Sequence, residues 1–522
     1  MEPTPLPAVG DPMIRQLLRP EAYGHPVAAG GPRLLETHLS WVLLSGPYAY
    51  KLKKPVAFGF VDFSSAERRE QACREELRLN RRLSPERYLD VVPVYGPLEA
   101  ASFVPPAPAP APAPVPAPIL AWAVRMVQFE QEQLLPAALA AGQVGEGAVK
   151  QLAERLARFH RDAATAGPET PWGQPEAVLQ PVRDNLISLA DCPGAQAVLE
   201  PLATWVEGQG RALTPWFQER RRQGRIRECH GDLHLGNMLL GAGGIEVFDA
   251  LEFSETLRWI DPISELAFLV MDLAVRGRAD LGTLLLNSWL EASGDGAGLR
   301  GWAWYSVYRA LVRAKVSWLR LRQSGLAAAE SSRLQVELSR YLGLAMDWIQ
   351  HQSQPLVLMH GLAGSGKSTR AMALSKQIGA VVFRSDVERK RLFGLWGVKP
   401  SRQLEGELYG PAASHHLYEI TLPALVEAAS AGGLAVIVDA CFLRRCERQL
   451  MVALAGQLGI PVRIAVCEAP QPLLRQRLLQ RAAAGGDPSD ATVEVLESQL
   501  RWLEPLGPDE RKLVMAAPGP SP

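Results

Sequence analysis

Eight residues, HGDLHLGN at positions 230 to 237, place two histidines, an aspartate, two glycines and an asparagine between the charged run RRRQGRIRE and the apolar pair Met238 and Leu239. Asp232, Asn237 and then Asp249 in VFDALEF follow one another in order. Phosphoryl transfer asks for such a set: one carboxylate orients the attacking hydroxyl, while an amide and a second carboxylate hold Mg²⁺. A second stretch, HGLAGSGKST at 360 to 369, contains G-x-x-x-x-G-K-S from Gly361 to Ser368. Glycines at 361, 364 and 366 let backbone N–H groups point at phosphate oxygens; Lys367 reaches the β and γ phosphates, and Ser368, followed by Thr369, ligates Mg²⁺.

The rest of the chain must position these groups. Its 522 residues exceed one core and predict three or four compact units. Hydrophobic residues at 47%, charged residues at 21% and a formal net charge of zero describe an ordinary globular protein. Nothing in that balance demands nucleic acid, although a local basic groove is compatible with it. Six cysteines lie scattered without a CxxC pair, which speaks against a disulfide framework or a zinc site and for a reducing compartment. The first residues lack a basic segment followed by an apolar one, and the apolar run AFLVMDLAV is interrupted by Asp272. The expectation is a cytoplasmic protein without a membrane partner.

Residues 34 to 63 alternate strand-like runs with turns, and SSAERREQACREELRLNRRL predicts an amphipathic helix opened by serine. The run VPPAPAPAPAPAPVPAP (104 to 118) reads as an extended spacer, since proline lacks the donor that helices and sheets need. A strand-like ILAWAVRMVQF follows it, as though two neighbouring strands had a long connection. Residues 145 to 225 and 255 to 350 carry helical periodicity. From LVLMH at 356 onward, strand and helix signals alternate as in a parallel α/β unit, so a boundary is placed near 350.

On the stretch HGDLHLGNMLL followed by VFDALEF, residues of roughly 20 to 350 resemble the aminoglycoside phosphotransferase-like branch of the protein-kinase-like fold. The resemblance implies an α+β domain with a β-rich small lobe to about residue 130 and a helical large lobe from 131 to 350. It makes Asp232 the catalytic base, Asn237 and Asp249 the Mg²⁺ ligands, and His230 a brace for the loop. His234 is read as structural, because Mg²⁺ prefers oxygen. In DPISELAFL this chain has Glu265 where the family carries aspartate. Such a site also needs a lysine for the phosphates and a helix glutamate to hold it. Lys51 in KLKK is the choice, with Lys53 two residues on along the same face, and Glu76 is preferred to Glu75. No G-x-G-x-x-G covers the phosphates, which leaves the turn at Glu36, Thr37 and His38.

Residues from about 355 to 510 resemble the small P-loop kinases, the group of gluconate kinase, zeta toxin and the kinase part of polynucleotide kinase, within an α/β domain of 351 to 522. By that resemblance Asp386 is the base for the acceptor hydroxyl, Arg389 meets the acceptor, and Asp439 supports the metal. Arg475, Arg477 and Arg481 would form a mobile lid; a solvated helix face is the plainer alternative for these three. Cys441 and Cys446 read as buried filler. The expectation is a tandem phosphotransferase that uses ATP and Mg²⁺ on a small-molecule hydroxyl, with a nucleic-acid end left open. The rival reading is an ATP-switched regulator or toxin-like protein whose N-terminal half is a substrate-binding pseudokinase.

Overall fold

In the computed structural model the described residues are 10–58, 61–105, 118–323, 325–350, 353–396, 408–484, 489 and 491–516. Most of the alanine-proline run lies outside them. The chain forms two compact units: Met1–Val144 with Glu228–Trp259, and Gly145–Arg227 with Ile260–Pro522. The helical segments thus share a unit with the C-terminal α/β module.

In the first unit five antiparallel strands run in the order Arg33–Glu36, Ser40–Ser45, Tyr48–Lys53, Ile119–Val127, Tyr88–Tyr95. Strand alternation gives the strand Tyr48–Lys53 two different faces. Tyr50 and Leu52 join Leu43, Val94 and Ala123 in a core closed by Ile14 and Leu17 of the short helix Pro12–Leu17. Lys51 and Lys53 stand on the opposite face, toward the helix Ala66–Asn80. That helix starts where Ser65 accepts the N–H of Arg68, and its Cys73 packs against Tyr88 and Val124. Further along the chain a hairpin pairs Met238–Gly241 with Gly244–Val247. Asn237 enters the hairpin and Phe248 leaves it, and the Phe248 N–H donates to the Asn237 carbonyl at 2.9 Å. The loop of Asp232 and the segment of Asp249 are thereby joined.

In the second unit the apolar run around Asp272 is the core helix Pro262–Val275, and the carboxylate of Asp272 accepts from the Tyr341 hydroxyl at 3.2 Å. No helix among the described residues is long and apolar enough to cross a membrane. The C-terminal module carries four parallel strands in the order Val381–Arg384, Val436–Asp439, Leu356–His360, Val462–Val466. At the Val462–Val466 edge, Ile464 exchanges hydrogen bonds with Leu513 and Met515, both 2.9 Å.

A buried ion cluster joins the helices of this unit. Arg220 takes Asp261 through Nε and Nη2 (2.7 and 2.8 Å) and Asp295 through Nη1 and Nη2 (2.6 and 2.7 Å). Asp261 caps the core helix, accepting from the Ile263 N–H, and Asp295 begins the turn that leads into Gly296–Gly301. That turn packs on the α/β module with no spare volume: a Cβ on Gly296 would stand 2.4 Å from Leu425, and one on Gly432 would stand 1.9 Å from the Leu299 carbonyl.

Removing the guanidinium leaves two buried carboxylates facing each other, so Arg220→Met is expected to cost about 3–5 kcal/mol, read as an earlier unfolding midpoint in urea. Burial works to raise the Asp295 carboxyl, but Arg220 outweighs it and holds the group below the ordinary carboxylate range. The stabilisation is therefore fully present above the unfolded value of about 4 and is lost as pH falls through the lower folded value. An acid titration of wild type should show this loss, and Asp295→Asn should remove that part of it.

Candidate active sites

The first site gathers five charged side chains of the first unit. Lys51 Nζ lies 2.9 Å from Glu76 Oε1 and 2.5 Å from Asp249 Oδ1. Lys53 Nζ takes the other oxygen of the same glutamate, Glu76 Oε2, at 2.5 Å and also pairs with Glu252. Burial pulls the Lys51 ammonium down, but Asp249 and Glu76 outweigh it and hold it well above its ordinary value. For Asp249 burial acts upward, Lys51 prevails, and the carboxyl ends below its usual range. Glu75, the alternative to Glu76, is turned elsewhere and binds Arg78 and Arg258.

Asp249 has φ of 63°, a left-handed conformation that aspartate tolerates better than most residues. Three bonds hold this turn. Its N–H donates to the Tyr88 hydroxyl (3.0 Å), the Ala250 N–H donates to Asn80 Oδ1 (2.8 Å), and Asn80 in turn donates to the Glu76 carbonyl (2.8 Å). The helix that supplies Glu76 therefore also fixes the backbone of Asp249.

In the loop, His230 Nδ1 accepts the Asp232 N–H (3.3 Å), which leaves the proton on Nε2 to donate to the Phe248 carbonyl (2.9 Å). His234 Nδ1 likewise accepts the Gly236 N–H (3.0 Å), and Nε2 faces Asp232 Oδ2 at 3.4 Å. Asn237 Nδ2 donates to both the carbonyl and Oδ2 of Asp232, each at 3.0 Å. The negative charge of Asp232 acts on Asp249 and works to raise its carboxyl. The donor set is all oxygen on the metal side, with an ammonium beside it, and fits a magnesium triphosphate. The turn at Glu36, Thr37 and His38 closes the first hairpin, where Thr37 bonds Ser40 and Lys54 reaches the Thr37 carbonyl.

The second site opens at the C-terminal ends of the parallel strands, in a cavity of about 810 Å³. Two loop glycines are sterically required. A Cβ on Gly361 (φ 146°) would stand 2.1 Å from the Cys467 carbonyl, and Gly366 (φ 91°) caps the helix Lys367–Ile378 in a left-handed turn. Lys367 Nζ donates to the Leu362 carbonyl across the loop at 2.9 Å. Ser365 Oγ is buried and has no hydrogen-bond partner among the described residues, a deficit that a phosphate oxygen would remove. Ser368 bonds Asp439, whose carboxyl is pushed up by burial against the pull of Ser368 and Arg384. These residues fit a nucleotide triphosphate with its cation.

Gly364, Gly366, Lys367, Ser368, Thr369, Asp386, Arg389, Asp439, Arg477 and Arg481 all line the cavity. Arg477 also donates to the Gly364 carbonyl at 3.2 Å, while Arg389 is held by the Leu408 carbonyl (2.9 Å) and Ser414 (3.2 Å). Arg475, from the same helix as Arg477, points to Glu497 at 3.2 Å. Cys441 and Cys446 are not the buried filler expected of them: both line the cavity, Cys441 half-buried and Cys446 exposed.

Several functional neighbours escaped the sequence reading. Glu252 lies inside the quoted VFDALEF, and its three-residue offset from Asp249 was the available signal. Gln499, which accepts the Ala363 N–H of the loop at 2.8 Å, offered none. His160 binds the departing residue Glu265 at 2.9 Å and accepts from Trp289 at 3.1 Å, so Glu265 is buried in a bonded pair.

Comparison with known proteins matches two separate stretches of the chain. Residues 61–308 match the phosphotransferase enzyme family, and residues 356–506 match the AAA domain. The uncharacterized protein Rv2004c of Mycobacterium tuberculosis is 32% identical over 499 residues, covering 92% of this chain and 94% of its own length. A tRNA dimethylallyltransferase of Anaeromyxobacter dehalogenans is 31% identical over 140 residues, 26% of this chain and 44% of that enzyme. Among solved structures, a choline/ethanolamine kinase family protein from Mesorhizobium loti aligns at 13% identity over 62% of this chain and 94% of its own, with a TM-score of 0.35. A gluconokinase from Sinorhizobium meliloti aligns at 16% identity over 31% and 81%, with a TM-score of 0.22. The chain belongs to the family of the mycobacterial protein and joins a phosphotransferase-family, kinase-like domain to a C-terminal AAA domain of the P-loop type.

Proposed function

We propose that both modules are ATP-dependent phosphotransferases that move the γ-phosphoryl group to a hydroxyl of a small-molecule acceptor. The observation that carries this reading is the Lys51, Glu76 and Asp249 contact set beside the Asp232 and Asn237 pair. In the first site Asp232 would take the acceptor proton, Lys51 would hold phosphate, and Asn237 and Asp249 would hold Mg²⁺. The bound cation would neutralise charge that builds on the transferring group. His230, with its tautomer fixed by two backbone bonds, keeps the Asp232 loop against Phe248.

In the second site Lys367, Ser368 and Thr369 would cradle the phosphates, with the N–H groups around Gly361, Gly364 and Gly366. Ser368 and Asp439 would serve the cation, Asp386 would act as base, and Arg389 would meet the acceptor. Arg477 and Arg481 would lie over the transferring group, and Arg475 would serve the lid through its partner Glu497. A cytoplasmic setting belongs to the same reading.

The test is a metabolite extract incubated with γ-labelled ATP and the full-length protein. Asp232→Ala is expected to remove one labelled product, with a rate loss of about 10²- to 10⁴-fold, and Lys367→Ala to remove another. If both products survive both substitutions, the reading fails. Asp386→Asn should lower ATP consumption at the P-loop site while ATP affinity stays unchanged; consumption that persists at the wild-type rate would return the site to a nucleotide-binding switch.

A further inference from the structure

The P-loop site receives a contact from the helical residues of the second unit. Arg384 ends its strand and lies directly beside Asp439 in the parallel register. Its Nε is 3.7 Å from Asp439 Oδ2, and its Nη1 is 3.7 Å from Glu291 Oε1. Neither contact has hydrogen-bond length, so neither of these carboxylates holds the guanidinium in a bidentate fork. Glu291 belongs to the helix Ala279–Ser293, outside the AAA match of 356–506.

The position of Glu291 is fixed from both sides. One turn earlier on the same helix, Asn287 donates to the Ala380 carbonyl (3.0 Å) and accepts the Val382 N–H (2.7 Å). Its amide thus serves two backbone groups at the outer edge of the strand Val381–Arg384. In return Arg391 of the α/β module donates to the carbonyls of Leu290 and Glu291, at 2.9 and 2.5 Å, closing the end of the helix. Strand and helix are locked to each other immediately beside the row of Glu291, Arg384 and Asp439.

We propose that Glu291 is a positioning residue of the P-loop site: by drawing on the Arg384 guanidinium it sets how much of the Asp439 charge is left for the cation of a bound nucleotide. The proposal rests on the P-loop reading above. Asp439 is 5% exposed, so a neighbouring charge acts on it with little screening. Glu291 is 45% exposed and the pair is loose, so the effect is modest.

The test titrates a non-hydrolysable ATP analogue into the full-length chain carrying Asp249→Ala, at increasing Mg²⁺, so that the cation-dependent part of binding reports the P-loop site. Glu291→Gln should leave binding without Mg²⁺ unchanged and raise the Mg²⁺ needed for half-maximal binding by about two- to fivefold. Arg384→Gln should lower that requirement, and adding Glu291→Gln to it should change nothing more. Glu291→Asp should shift it less than Glu291→Gln. An unchanged Mg²⁺ requirement in Glu291→Gln, or the same shift with Arg384 already removed, overturns the proposal while the P-loop reading stands. If Lys367→Ala binds the analogue as the unsubstituted protein does, the P-loop reading itself falls, and the proposal with it.

Discussion

A buried charge survives only beside an opposite one, and this constraint organises the chain. In the first unit two ammonium groups face Glu76, Asp249 and Glu252, and burial together with the charge of Glu76 pushes the Glu252 carboxyl above its usual range. A divalent cation would add positive charge to this carboxyl-rich cluster. Elsewhere the same rule ties pieces of backbone together. Arg220 joins a helix cap to a turn, and Arg448, fully buried, holds Glu510 together with the carbonyls of Phe442 and Leu443.

On the proposed reading the two sites would handle phosphate in different ways. The first relies on side chains: Lys51 is aimed by Glu76, and the helix that carries Glu76 also braces the Asp249 turn through Asn80. The second relies on backbone, with glycines whose missing Cβ atoms let the loop pass close to Cys467. Side-chain sites need many remote supports, and backbone sites need few. Gln499 and Arg477 nevertheless hold the second loop from two later helices.

That difference also explains what could be read from the chain beforehand. Gly361 to Ser368 is a local pattern whose spacing is its geometry, so the strand, loop and helix around it were legible. Asp232, Asn237 and Asp249 were legible because one hairpin brings them together within twenty residues. Lys51 and Glu76 could be chosen from strand alternation and helix face. The sharing of Glu76 by Lys51 and Lys53 could not, since it depends on how the sheet and helix approach each other. Nor could Arg384 be placed between two carboxylates, because Glu291 is ninety residues distant and no local period links them. The domain boundary expected at about 350 follows the change in pattern from helical to alternating, whereas compactness groups the helices with the residues after them.

Asn287 has one more implication. Its side-chain amide occupies the place that a neighbouring strand would take on the outer edge of the parallel sheet. Excision of the C-terminal module at residue 350 would strip that cover and present bare strand backbone to other chains, an invitation to stick to them. Two modules joined by such a contact are not interchangeable parts.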